Sequence, residues 1–376
     1  MKRIRILALV LFFLTFLILP VSAKQDDAAR DQLDASGAAE LFEDLPQETR
    51  ALFEELGIAE IDFSSLFNTS PRALGEMFLN LMRGKLENPL KAALQILGIL
   101  ILLAVFESFQ NGTSSRTSKV MALTSALFFS IVLLPHVIEC LSHTCAAISL
   151  SSNFMLSFIP VYAAIVAASG NPALALSSQT LLFGFAQGIA QFSSYFLKPS
   201  IGILLAFSMI SALSPVFDFG GISNTIKKTV TVTLGFLSTV FVGLLSFKGL
   251  LAGTADSAAT KGAKFLIGSF VPVVGGAVSD ALGSIVSSLS LVRGAVGAFG
   301  ILAVLLIALP VFAELLLWLL TLNLCAMGAD LFGQGKAAAL LRSIASALVI
   351  LGVILLFNAV LLIISTAIML SVKSGT

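Results

Sequence analysis

From residue 91 onward the chain is a succession of apolar stretches of membrane-spanning length, separated only by short polar breaks. A bilayer interior holds no water to pair with backbone N–H and C=O groups. Each stretch must therefore close its own hydrogen bonds, which a helix does within one segment. Composition agrees: 57% of residues are hydrophobic and 11% are charged, whereas a soluble globule needs about 25% charged residues to cover its surface. The expected fold is all-α, a polytopic helical membrane protein. Its candidate segments are 91–109, 118–141, 148–169, 172–197, 200–217, 230–250, 266–292, 294–309, 311–328 and 343–372. Ten is an upper bound. Segment 294–309 would rise only about 24 Å as a helix against a hydrocarbon core of ~30 Å, so it reads as a half-span or as one arm of a re-entrant hairpin.

Two portions precede this domain. Residues 1–23 have the layout of a secretory signal: basic Lys2, Arg3 and Arg5, an apolar core over 6–19, and Val21-Ser22-Ala23 as a small-residue cleavage site. Cleavage would start the mature chain at Lys24, outside the cytoplasm; an uncleaved first anchor is the alternative. Residues 24–90 carry most of the acidic side chains, while Leu41, Phe42, Leu45, Leu52, Phe53, Leu56 and Ile58 recur at helical spacing. Two or three short amphipathic helices are expected, with breaks at Pro46, Pro71 and Asn88-Pro89. Their apolar faces lie on the membrane surface, on a partner, or on the chain's own membrane domain; amphipathicity alone does not name the surface. With the amino terminus exported, Arg116, Lys227, Lys228, Lys336 and Arg342 fall in cytoplasmic loops, in partial agreement with the positive-inside bias, since Lys198, Lys248, Lys261, Lys264 and Lys373 fall on the external side.

Several function classes drop out. A formal charge of +1 provides no basic field for nucleic acid. Cys140, Cys145 and Cys325 have no CxxC spacing and only His136 and His143 nearby, so they read as apolar filler, not as metal ligands. No phosphate loop, HExxH, GxSxG or serine, histidine and acid constellation is present. Catalysis, ATP hydrolysis and a bound cofactor are therefore not expected.

At one constant spacing the chain aligns with itself. Ser157-Phe158-Ile159-Pro160-Val161 falls on Ser269-Phe270-Val271-Pro272-Val273, Asp218 on Asp330, and Arg116 on Lys228. Two copies, 116–227 and 228–339, each with four membrane segments, would make a parallel repeat with a pathway at its interface. The alternative is chance self-alignment of apolar sequence.

The candidate site centres on 261–294. This tract is apolar, yet it holds Lys261, Lys264, Asp280 and Arg293, and Gly275 and Gly276 lie within a run rich in Gly and Ser. Small residues let helices approach closely or line a polar path. Pro160 and Pro272 are expected to break helices there and free carbonyls toward a cavity. An ionised group at mid-membrane costs about 2.5–3.5 kcal/mol and marks a functional position. Asp280 and Glu314 look deepest, and Asp280 is expected to pair with Lys264 or Arg293.

The run 261–300, KGAKFLIGSFVPVVGGAVSDALGSIVSSLSLVRGAVGAFG, closely resembles the signature region of the stage III sporulation protein AE family of endospore-forming Firmicutes. The plan of signal, short exported portion and polytopic domain matches as well. The resemblance implies a subunit of a secretion-like channel, or feeding tube, in the mother-cell membrane around the forespore, needed for late forespore gene expression. Implied partners are the other stage III sporulation A operon products, including a secretion-type ATPase and ring-forming proteins. Stage II sporulation protein Q would meet them from the forespore across the intermembrane space. A stand-alone secondary transporter of a small solute or ion is the alternative. Under the channel reading, Asp280→Ala or Pro272→Ala lowers the yield of heat-resistant spores while the protein still accumulates; wild-type yield from both variants counts against it.

Overall fold

In the computed structural model, residues 27–61, 69–109, 115–192 and 275–371 are described, with 65–66 and scattered positions between 195 and 247. The signal region and the tract 248–274 lie outside them, as does most of the second repeat's first half. The described residues are helical, without strands. Four short helices come first: α1 (Asp27–Ala35), α2 (Glu40–Glu43), α3 (Gln47–Glu55) and α4 (Pro71–Gly84). Their starts follow local chemistry. Pro46 precedes α3 in extended backbone, and the Ser70 hydroxyl accepts from Ala73 N–H while Pro71 occupies the first helical position.

Five longer helices follow: α5 (Glu87–Phe109), α6 (Ser115–Ala168), α7 (Pro172–Phe192), α8 (Gly275–Leu331) and α9 (Gly335–Ser371). Expected segments 118–141 and 148–169 are one helix, α6, and 294–309 and 311–328 both lie in α8. Pro135 and Pro160 sit inside α6 and Pro310 inside α8, and none of them ends its helix. A proline costs one backbone bond, which packed neighbours compensate in a long apolar helix. The chain reverses instead where glycine permits a left-handed residue. At Gly170 (φ 91°) and Gly333 (φ 75°) the next N–H reaches back five residues, Asn171 to Val166 O at 3.2 Å and Gln334 to Ala329 O at 2.8 Å. These bonds satisfy carbonyls that the helix end would orphan. Among the described residues, four helices are long and apolar enough to cross a membrane, over Glu87–Val105, Leu127–Ala168, Ser288–Leu331 and Gly335–Ala367.

Helix α8 is the spine. Helix α6 runs antiparallel to it, pairing His136 with Trp318 and Phe154 with Phe299. Helix α9 is also antiparallel, with Arg342 on Asp330 at one end and Leu370 beside Arg293 at the other. Helix α5 runs parallel to α8, from Lys85 at Glu314 to Leu97 at Gly328. The short helices form a collar on the remaining side: Gln32 bonds Ser288 at 2.9 Å, Phe42 and Phe53 stack on Phe299 at 6.2 and 5.3 Å, and Phe78 meets Phe312 at 6.4 Å. The amphipathic portion thus covers the chain's own helices, which settles where its apolar faces lie.

Close approach of α6 and α8 depends on two glycines. A Cβ at Gly300 would overlap the buried Phe158 ring, and one at Gly297 would stand 2.8 Å from both Tyr162 Oη and Leu370 Cδ2. Phe158 cannot move aside, because it stacks between Phe154 and Tyr162 at 5.7 and 5.1 Å. Gly300→Ala is expected to lower the melting temperature of the purified protein, since overpacking costs about 1–3 kcal/mol and outweighs the ~1 kcal/mol gained in helix propensity. Adding Phe158→Leu recovers part of the loss. Gly98→Ala, which meets nothing within 4 Å, is neutral or stabilising in the same melt.

Candidate functional site

Most described charges are solvent-facing, which makes the buried acid in α8 informative. Glu314 has 11% of its side chain exposed, and three polar groups from other elements converge on it. Lys85 Nζ, at the junction of α4 and α5, donates to Oε2 at 2.9 Å. His143 Nδ1 on α6 lies 3.0 Å from Oε1 and 3.1 Å from Oε2. The Cys140 thiol, one turn earlier on α6, donates to Oε1 at 3.7 Å. One turn further along α8, Trp318 stacks on His136 with ring centroids 4.7 Å apart, and His136 lies 3.6 Å from Glu139.

The arrangement follows from helical register. His136, Cys140 and His143 stand at i, i+4 and i+7 on α6, and Glu314 and Trp318 at i and i+4 on α8, so each set occupies one helix face. Antiparallel packing brings the two faces together. Burying a carboxylate alone is prohibitive, and the ammonium with its added hydrogen-bond donors offsets that cost. The chemistry is that of a clamp fastening the start of α5, the middle of α6 and the middle of α8. Cys140, His143 and Glu314 do converge, but Lys85 occupies the second carboxylate oxygen. Among the described residues no group of three or more His, Cys, Asp or Glu is arranged to hold a metal.

A second polar point lies nearer the α8 amino end. Arg293 is 4% exposed, and its Nη2 donates to Leu370 O at 3.0 Å. Leu370 lies in the last turn of α9, whose carbonyls have no partner within the helix, so a cation there is well placed. Tyr162, fully enclosed on α6, packs against Gly297 one turn away.

The expected site residues separate accordingly. Glu314 is buried and paired, with Lys85 as its cation. Arg293 caps α9. Positions 280 and 293 stand on one unbroken helix about 20 Å apart at 1.5 Å per residue, too far for the expected ion pair between them. Gly275 and Gly276 open α8, and Asp280 belongs to its first two turns. Pro160 faces outward about two turns before the carboxyl end of α6. Lys261, Lys264 and Pro272 lie outside the described residues. In the sequence Lys85 only closes the polar portion, and Cys140 reads as apolar filler with His143 beside it. The shared register on α6 was the available signal.

Residues 61–373 match the family model described as stage III sporulation protein AE. The chain belongs to that family. It is similar to stage III sporulation protein AE of Bacillus subtilis (strain 168), at 25% identity over 219 residues, 57% of this chain and 55% of that protein. The match therefore spans about half the length of this relative. No solved structure matches the chain. The family's matched region takes in α4 to α9 and so contains all four clamp residues.

The clamp predicts an asymmetric mutational cycle. Breaking a buried ion pair costs about 3–5 kcal/mol, and the 35% exposure of Lys85 reduces that to roughly 1–3 kcal/mol here. Lys85→Met should lower the melting temperature in detergent. Lys85→Met combined with Glu314→Leu should recover most of the loss, because no charge is left unpaired.

Proposed function

We propose that this chain acts in endospore formation as a non-enzymatic membrane subunit of a secretion-like channel between mother cell and forespore. The family match over 61–373 carries this reading. In it the protein is a multi-pass component of the mother-cell membrane around the forespore, with the collar on the side away from the cytoplasm. Its partners are the other products of its operon, among them a secretion-type ATPase and ring-forming subunits, and stage II sporulation protein Q across the intermembrane space. The clamp supports a structural role over a transport step, since Glu314 is neutralised by a cation of the same chain. The acidic exposed face of the collar supports partner binding; residues 27–87 hold far more Asp and Glu than Lys and Arg.

Deleting the gene in an endospore former is expected to abolish late forespore reporter expression and heat-resistant spores. Co-purification from sporulating cells is expected to recover the operon partners, with crosslinks mapping to collar residues. A protein that accumulates, co-purifies with none of them and moves solute in liposomes by itself would replace this reading with that of a secondary transporter.

A further inference from the structure

Three of the four membrane-capable helices, α6, α8 and α9, are much longer than a bilayer is thick. Helices of 54 and 57 residues rise about 81 and 86 Å at 1.5 Å per residue, against a hydrocarbon core of ~30 Å. We infer that the bilayer encloses only the half of the bundle between the Glu314 clamp and the Asp330–Arg342 pair, and that the half built on 288–312 stands outside it in water.

Three observations carry this. First, the exposed face of α6 changes character at the clamp. Before it the exposed residues are Thr124, Leu127, Phe128, Ile131, Pro135 and Ile138, with Glu139 beside the clamp itself; after it they are Ser142, Ala146, Leu150, Asn153, Pro160, Ala164 and Ala168. Second, the same layer presents large outward apolar groups on two more helices: Leu90 and Leu94 on α5, and Leu320, Leu324 and Met327 on α8 at i, i+4 and i+7. No charged residue of α8 lies between Glu314 and Asp330. That stretch rises about 24 Å, and Lys336 and Arg342 at the Asp330 edge can extend their aliphatic stems to headgroups further out, which brings the layer toward the ~30 Å of a hydrocarbon core, while Lys91, inside the clamp edge, reaches back to Glu87. Third, the collar lies entirely on the other half. Asp34, Glu40, Glu43, Asp44, Glu48, Glu54 and Glu55 are exposed there, and acids arrayed over several turns belong in water, not in lipid.

The occupant of the apolar belt is thus lipid hydrocarbon. Segment 294–309 is apolar for another reason: α6, α9 and the collar bury it on all sides, and a helix enclosed by protein is hydrophobic all round. The projecting half extends about 38 Å along α6 beyond His143. This partition holds whichever proteins the family assembles with.

The test uses the full-length protein in phosphatidylcholine liposomes. Trp318 is the one tryptophan, so Trp318→Phe gives a dark background, into which single tryptophans go at outward positions. With acyl-brominated lipid, Leu324→Trp and Ile131→Trp should lose most of their emission, whereas Leu150→Trp and Leu176→Trp should keep it. Independently, Asn153→Cys should react with a membrane-impermeant maleimide from one side of the liposome and Ile131→Cys should not. Quenching of Leu150→Trp or Leu176→Trp to the extent of Leu324→Trp overturns the inference. So does bright emission from Leu324→Trp and Ile131→Trp, or an Asn153→Cys that does not label. Because neither readout involves sporulation, failure here leaves the proposed channel role to stand or fall separately.

Discussion

Enclosure of the first long stretch of α8, 288–318, is the constraint from which the rest of the molecule follows. From Ser288 to Trp318 this helix meets α6, α9 and the collar and presents no fully exposed side chain. A helix without a solvent face has no use for polar residues, so its sequence carries apolar residues around the full turn. Neighbours must then approach closely enough to leave no void, which is why Gly297 and Gly300 face the Phe158 and Tyr162 rings. Helix α9 is buried on most of its surface, with positions 346, 349, 353, 357, 360 and 364, partly exposed, falling in one stripe.

Within such an interior, charge is admitted only where a partner waits. Glu314 receives an ammonium, an imidazole and a thiol from two other segments, and Arg293 receives the carbonyl end of α9. Both are ties between elements distant in sequence, and both sit on the helix against which α5, α6, α9 and the collar pack. The apolar aromatics do the same on the collar side, where Phe42, Phe53 and Phe154 surround Phe299. This distribution is that of a scaffold whose interior is closed.

Much of this was legible in residue order. Apolar runs without alternation dictated helices, the spacing of Leu41 to Ile58 dictated an amphipathic portion, and Glu314 stood out as a deep acid. Segment limits were not legible, because proline was read as punctuation. Pro135, Pro160 and Pro310 each lie within a helix whose neighbours make good the missing donor. Nor could hydropathy separate a helix wrapped by lipid from one wrapped by protein, since both demand the same side chains. The surface that receives the collar was equally hidden: pairing Phe53 with Phe299 or Lys85 with Glu314 is a property of tertiary register, which periodicity within either helix does not encode. The resemblance carried in 261–300 did point to the family, and the match over 61–373 establishes it.

The collar has a consequence for biosynthesis. Gln32 and Ser288 are 256 residues apart, and Lys85 and Glu314 are 229 apart. At ribosomal rates of about 5–20 residues per second, the first helices wait on the order of ten seconds or more for the spine they will cover. Throughout that interval Phe42 and Phe53 have only each other and the rest of the collar to bury against, without the α8 surface that finally covers them. A chaperone or the nearby lipid surface must shelter them until then, and a message truncated before α8 would leave them sticky for good.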